Sequence, residues 1–283
     1  MPELPEVTTI VEGLKEKMIG KKITDIFCDH QKMIKQETFE SLKKKTQGAK
    51  IISVKRRAKY IIIELDNDLS VIIHLRMTGH LLYRPLDKSK YSKAFHDPYN
   101  QFVHFSLKLD DNHELAFSDL RKFGTVEIMA ILEVKNYFEN KEIGPEPLDK
   151  SFTYEVFLER INRKKSVIKQ VLLDQTIIAG IGNIYADEIL FAAGIHPKRK
   201  VNQLNGTELK KIYNAIKNIL KKAVELRGTS VSDFRDVSGE KGSFGETLNA
   251  YRQTGKPCSK CGTKIERIVV GQRGTHFCPK CQV

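Results

Sequence analysis

Four cysteines crowd the last 26 residues of this 283-residue chain: Cys258-x2-Cys261 and Cys278-x2-Cys281, with 16 residues between the pairs. Each pair presents two thiolates from one tight turn, and the stretch between is long enough to form a hairpin that closes a tetrahedron. Such a set either holds zinc or pairs into disulfides, and in a reducing compartment it holds zinc. Four thiolates leave no open coordination position, so the ion is structural. The chain must therefore end in a small metal-pinned β-hairpin, with the rest of the fold ahead of it. The fifth cysteine, Cys28, stands alone in an alternating apolar segment and reads as a small buried hydrophobe.

The length ahead of that hairpin allows two domains with real cores. The balance of 48 Lys+Arg against 35 Asp+Glu leaves a net charge of +13. That excess suits a polyanion, nucleic acid first, although a lysine-rich surface also serves solubility. No apolar stretch approaches the ~20 residues of a membrane span. The first residues read as an acidic amphipathic helix rather than a signal peptide, which points to the cytosol.

The opening Met1-Pro2-Glu3-Leu4-Pro5-Glu6-Val7 places a potential nucleophile at the terminus. Once the initiator methionine is removed, Pro2 carries a free secondary amine. An α-amine titrates near pH ~8, so part of it is neutral where a lysine, at ~10.4, is not. Condensed with a sugar aldehyde, a secondary amine gives a cationic iminium that promotes elimination at the neighbouring carbons. Val7, Ile10, Val11, Leu14 and Met18 recur at helical spacing behind it, with Gly20 past the end. The helix dipole would depress the amine's pKa further, and Glu3 and Glu6 are placed to orient it or move protons. The same residues also make an ordinary helix start.

Residues 21–130 read as strands and turns of an antiparallel sandwich. Runs at 51–54, 60–65, 70–75, 102–109 and 114–117 are separated by turns at 66–68 and 110–113, with a long polar loop at 85–98. From 132 to 150 the chain reads as a linker containing Gly144-Pro145-Glu146-Pro147. Helical periodicity follows at 152–160, 166–174, 184–193 and 207–226. Residues 227–246 are rich in Gly, Ser and Asp, and so long a loop is functional or disordered. The division is 1–131, linker 132–150, helical domain 151–248 and zinc segment 249–283, an α+β multidomain chain.

Three segments carry further chemistry. Gly180-Ile181-Gly182-Asn183 breaks the chain before a helix, where backbone N–H groups and the Asn183 side chain suit a phosphate. The same pattern also makes a simple inter-helix turn with an Asn cap. Lys55-Arg56-Arg57-Ala58-Lys59 puts four cations beside an apolar strand, as a solvated face or as rigid phosphate contacts. Arg273, near the tip of the metal-pinned hairpin, suits a two-pronged phosphate clamp or an exposed turn.

Together these pieces resemble the bacterial formamidopyrimidine-DNA glycosylases. The resemblance runs in order through the N-terminal segment, Arg57-Ala58-Lys59-Tyr60, His74-Leu75-Arg76-Met77-x-Gly79 and Asp119-Leu120-Arg121-Lys122-Phe123-Gly124. It continues through Ile143-Gly144-Pro145-Glu146-Pro147 and Gly180 to Tyr185, and ends at Gln272-Arg273-Gly274-Thr275-His276-Phe277-Cys278-Pro279. It implies excision of oxidised purines from damaged duplex DNA by a monomeric bacterial enzyme, then strand cleavage by β- and δ-elimination. It also implies a helix-two-turns-helix fold for the helical domain. By resemblance Pro2 would attack C1′ and Glu3 would donate a proton that opens the sugar. Lys59 and Arg273 would serve the eliminations or hold the phosphates beside them. Asn183, with Lys165 and Lys169 on the preceding helix, would grip the backbone, and His96 would contact DNA, although an insertion after it blurs the match.

Met77, Arg121 and Phe123 match the residues that fill the gap left by an extruded nucleotide, where unstacking costs a few kcal/mol. Core packing is the other reading of Met77 and Phe123. By the same resemblance 228–246 would cover the flipped base. The sequence departs from the family pattern at Thr8, at Tyr251-Arg252 and in the 228–236 stretch. Two rivals stand beside this reading: an endonuclease VIII-like enzyme for oxidised pyrimidines, and a zinc-finger DNA-binding protein without activity.

Overall fold

The computed structural model describes every residue except Arg163 and Ser232, the latter inside the expected covering loop. The chain forms two compact units, Met1–Asn140 with Leu226–Ser243, and Lys141–Glu225 with Phe244–Val283.

The first unit opens with α1 (Leu4–Met18), whose buried stripe Val7, Ile10, Val11, Leu14 and Met18 has the expected spacing. Then come β1 (Ile23–Cys28), α2 (Phe39–Thr46), β2 (Ile51–Arg57), β3 (Tyr60–Leu65), β4 (Leu69–His74) and β5 (His80–Pro85). β6 (Val103–Leu109), β7 (His113–Ser118), β8 (Thr125–Ala130) and α3 (Val134–Asn140) complete it. The strands form two antiparallel four-stranded sheets, ordered β1-β6-β7-β5 and β2-β3-β4-β8. Ile26, Leu107 and Leu115 of one sheet share a core with Ile61, Ile63 and Val71 of the other and with the α1 stripe. Alternating inward residues on both sheets produce this sandwich.

Two expected boundaries move. The 132–150 stretch is not all linker, because α3 packs Phe138 on Tyr60, ring centroids 5.3 Å apart, and Tyr137 donates to Glu127 at 2.8 Å. Residues 226–243, assigned from sequence to the helical domain, belong with the sandwich. Phe234 and Val237 lie in its core, and a Cβ on Gly13 of α1 would stand 2.6 Å from Val237.

The second unit contains α4 (Tyr154–Ile161), α5 (Ile168–Leu173), α6 (Asn183–Ala193) and α7 (Gly206–Glu225), then β9 (Glu266–Val270) paired antiparallel with β10 (Arg273–Phe277). α6 ends at Gly194 in the left-handed conformation, φ 73°, the usual glycine stop. The carboxylate of Glu188, on α6, receives the backbone N–H groups of Asn249, Ala250 and Tyr251 at 2.8–3.2 Å. That joins the approach to the zinc segment to the middle of a helix.

Candidate functional site

The amine end of α1 is lined by acids that the fold has buried. Glu3 is 2% exposed and Glu6 1%. Glu6 reaches back to accept the Glu3 N–H at 2.8 Å and accepts the Thr229 N–H at 2.7 Å. Both charges sit at the positive end of α1, which favours them. Burial is the largest influence on the α-amine of Met1 and holds its pKa below the ordinary value. Glu3, Glu6 and Asp233 pull that pKa back up, and Lys59 pushes it down. Lys59 itself is buried at the tip of the β2–β3 hairpin, where Ala58 takes φ +51° to make the turn. An amine, two carboxylates and a lysine thus converge at one end of the sandwich.

The gap-filling candidates occupy two loops organised by Asp119, the first residue of the Asp-Leu-Arg-Lys-Phe-Gly stretch. Asp119, 0% exposed, accepts the Thr78 hydroxyl, the Arg121 N–H at 3.3 Å and the Gly124 N–H at 2.7 Å. The Thr78 hydroxyl oxygen also accepts the Arg121 N–H at 3.1 Å, so 76–79 and 119–124 are cross-braced. An aspartate opening a turn before Arg-Lys-Phe-Gly is the sequence signal for such a brace. Phe123 is 53% exposed with the Arg121 guanidinium 4.7 Å from its ring centre. Core packing is thereby excluded for Phe123, while Met77 is half-buried. A Cβ on either Gly79 or Gly124 would collide with the Phe117 ring, at 2.6 and 2.3 Å. His96 is exposed, edge-on to Tyr91.

In the second unit, Gly182 rather than Asn183 caps α6, so the simple Asn-cap reading fails. Asn183 Nδ2 instead donates to the Gly274 carbonyl on the hairpin at 3.0 Å. Lys169 differs from expectation. It is 0% exposed, and its Nζ donates to Asp187 at 2.6 Å, the Thr275 hydroxyl at 2.8 Å and the Gly274 carbonyl at 3.3 Å. A phosphate cannot reach that ammonium, so Lys169 braces the hairpin instead of touching DNA. Lys165 is exposed but precedes α5 instead of lying on it. Asp187 also accepts the His276 N–H and ring nitrogen, both at 2.9 Å. These bonds fix the base of the hairpin. Its two-residue turn, Gly271 and Gln272 at φ 53° and 62°, leaves Arg273 exposed.

The Sγ atoms of Cys258, Cys261, Cys278 and Cys281 lie within 4.8 Å of one another, with Cys258–Cys281 at 3.9 Å and Cys261–Cys278 at 3.5 Å. Zinc–sulfur bonds of ~2.3 Å in a tetrahedron need edges of about 3.8 Å. The donors fit one structural zinc ion.

Known proteins match this arrangement along its whole length. Residues 1–126 match the formamidopyrimidine-DNA glycosylase N-terminal domain, 143–235 its H2TH domain, and 255–283 the zinc finger found in FPG and IleRS. The chain belongs to the formamidopyrimidine-DNA glycosylase family. The member from Herpetosiphon aurantiacus is 42% identical over 283 residues and covers 100% of both chains. The Lactococcus lactis subsp. cremoris member is 40% identical, covering 100% of this chain and 99% of its own. The Lactococcus lactis Fpg complex with abasic-site DNA superposes with a TM-score of 0.90 at 38% identity, covering 99% of each chain. MutM in complex with DNA containing carbocyclic 8-oxo-G gives 0.89 at 39%, also over 99% of each. The H2TH match spans α4 to α7, and the zinc-finger match contains the β9–β10 hairpin. Among the described residues no helix is long and apolar enough to cross a membrane.

Proposed function

We propose that this chain excises oxidised purines, 8-oxoguanine and formamidopyrimidines, from duplex DNA and then cleaves the abasic strand. The observation that carries the reading is the amine end of α1, where buried Glu3 and Glu6 and the hairpin lysine Lys59 surround a terminus that Pro2 would form once Met1 is removed. Pro2 attacks C1′ as the free secondary amine, the base departs, and the iminium draws electrons from the neighbouring C–H to open the 3′ side. Glu3 supplies the proton that opens the sugar, and Lys59 lies where a second proton transfer or a phosphate contact is needed.

Arg121, stacked on Phe123, faces solvent as a cation that can take the place of the extruded base, with Phe123 and Met77 wedged beside it. Arg273 and Asn183 hold phosphates, His96 and Lys165 add contacts further along the backbone, and the net charge of +13 draws the polyanion in. One zinc ion on the four cysteines keeps the Arg273 hairpin closed. We infer that the enzyme works as a monomer in the bacterial cytoplasm. Sedimentation at micromolar concentration checks the first point.

Borohydride trapping tests the whole assignment. A duplex with 8-oxoguanine opposite cytosine should yield a covalent protein–DNA adduct. The adduct should vanish in protein extended ahead of Pro2, where the Pro2 nitrogen is an amide. Trapping preferentially on an oxidised pyrimidine would move the enzyme to the endonuclease VIII-like specificity. Absence of an adduct with any lesion would leave a binding protein.

A further inference from the structure

The segment 228–243 touches the amine end of α1 at one end and an unrelated part of the sandwich at the other. At the first end Thr229 donates to Glu6, and Gly228, at φ +78°, lies so close that a Cβ would stand 2.8 Å from the Glu6 carboxylate. At the second, Arg235, 2% exposed, sets Nε and Nη2 on one oxygen of Asp97 at 3.0 and 2.8 Å. Its guanidinium lies 5.1 Å from the Tyr99 ring centre, and Nη1 donates to the Phe234 carbonyl at 2.7 Å.

A separate contact lies beside it. Asn100, fully buried, donates to the Ala94 carbonyl at 2.8 Å and toward the Gly239 carbonyl at 3.4 Å, while its oxygen accepts His80 Nε2 at 2.8 Å. Gly239 holds φ +82°, and a Cβ there would stand 2.8 Å from the Asn100 nitrogen. A charge-assisted pair at a buried arginine is among the stronger polar contacts a protein makes.

We propose that Asp97 and Arg235 are positioning residues for base removal: their clamp sets where Gly228, Thr229 and Asp233 lie near the amine, and so how a flipped base is held for excision. This rests on the function proposed above. Backbone and hydroxyl groups of such a segment suit the hydrogen-bonding edge of an extruded base. Once the base has left, the eliminations act on the sugar and phosphates, which other residues hold. Loosening the clamp therefore slows base removal and spares strand cleavage.

Two measurements on the full chain test this. In Asp97→Asn and Arg235→Lys, single-turnover excision of 8-oxoguanine should fall by about tenfold or more, the scale of a lost charged hydrogen bond. Cleavage and borohydride trapping at a preformed abasic site should stay within about twofold of wild type, and the double variant should be little worse than the worse single one. Equal loss in both steps, or none in either, overturns the proposal. Amide exchange of the DNA-free protein reads the clamp without a substrate: protection across 229–243 should drop in Asp97→Asn, and unchanged protection also overturns it. Wild-type protein that removes no 8-oxoguanine refutes the functional reading instead.

Discussion

Lysine positions in this chain divide between solvent and brace in a way that residue type alone does not reveal. Lys165 and Lys169 are four residues apart, yet one is exposed and the other fully buried on Asp187. Lys169 flanks the apolar face made by Ile168, Val171 and Leu172, and its acidic partner stands 18 residues away on another helix. No local pattern encodes such a pairing, so the sequence points to a phosphate contact and the fold supplies a strut. Lys169→Met should therefore cost about 3–5 kcal/mol by taking the ammonium from the buried Asp187 carboxylate, which keeps its His276 donors, read as a lowered urea midpoint. Arg273→Ala should leave the midpoint unchanged. It should instead reduce the slope of log K against log salt for DNA binding by about one. The cysteines were legible because C-x2-C spacing is local.

At the scale of elements, periodicity carried the reading where it was strong. α1, β3, β6 and α7 fall close to where the apolar spacing places them. β1, β5, β8 and α2 carry weaker patterns; β5 ends in Pro85, and α2 carries consecutive lysines. Their place is fixed by the partners they pair with or pack on, which a single sequence does not display. The brace at Asp119 is a similar case, since its second loop begins 41 residues upstream at Thr78.

Two expectations belong at this scale. Phe123→Ala removes an exposed ring, so melting should be unchanged while lesion excision falls by about ten- to a hundredfold, because unstacking is no longer offset. His80, whose strand anchors Asn100, is held neutral: burial pushes its pKa below the ordinary histidine value, with Asn100 pulling the other way. A base with a lowered folded pKa leaves the unfolded chain holding more protons, so stability falls as pH drops below about 6.5. Melting temperatures from pH 5.5 to 7.5 should show that slope, and His80→Gln should flatten it.

Across the molecule the chain leaves the sandwich after residue 140 and returns to it at 226–243. Composition marked the departure at the Gly-Pro-Glu-Pro stretch but not the return, because Phe234, Arg235 and Val237 find their partners in residues more than a hundred positions upstream. Zinc removal tests the other end of the chain. Chelation should abolish tight DNA binding by freeing Arg273, while the β-sheet signal of the sandwich persists. Loss of that sheet signal together with binding would mean that the ion supports more than the hairpin. Glu188 bears on how separable these parts are. Its carboxylate is buried, and the three N–H groups it receives come from the approach to the zinc segment. Cutting the chain before Asn249 would strand a charge without donors. The finger is therefore not a portable cassette, and a chimaera that exchanges it must carry the α6 helix across the same junction.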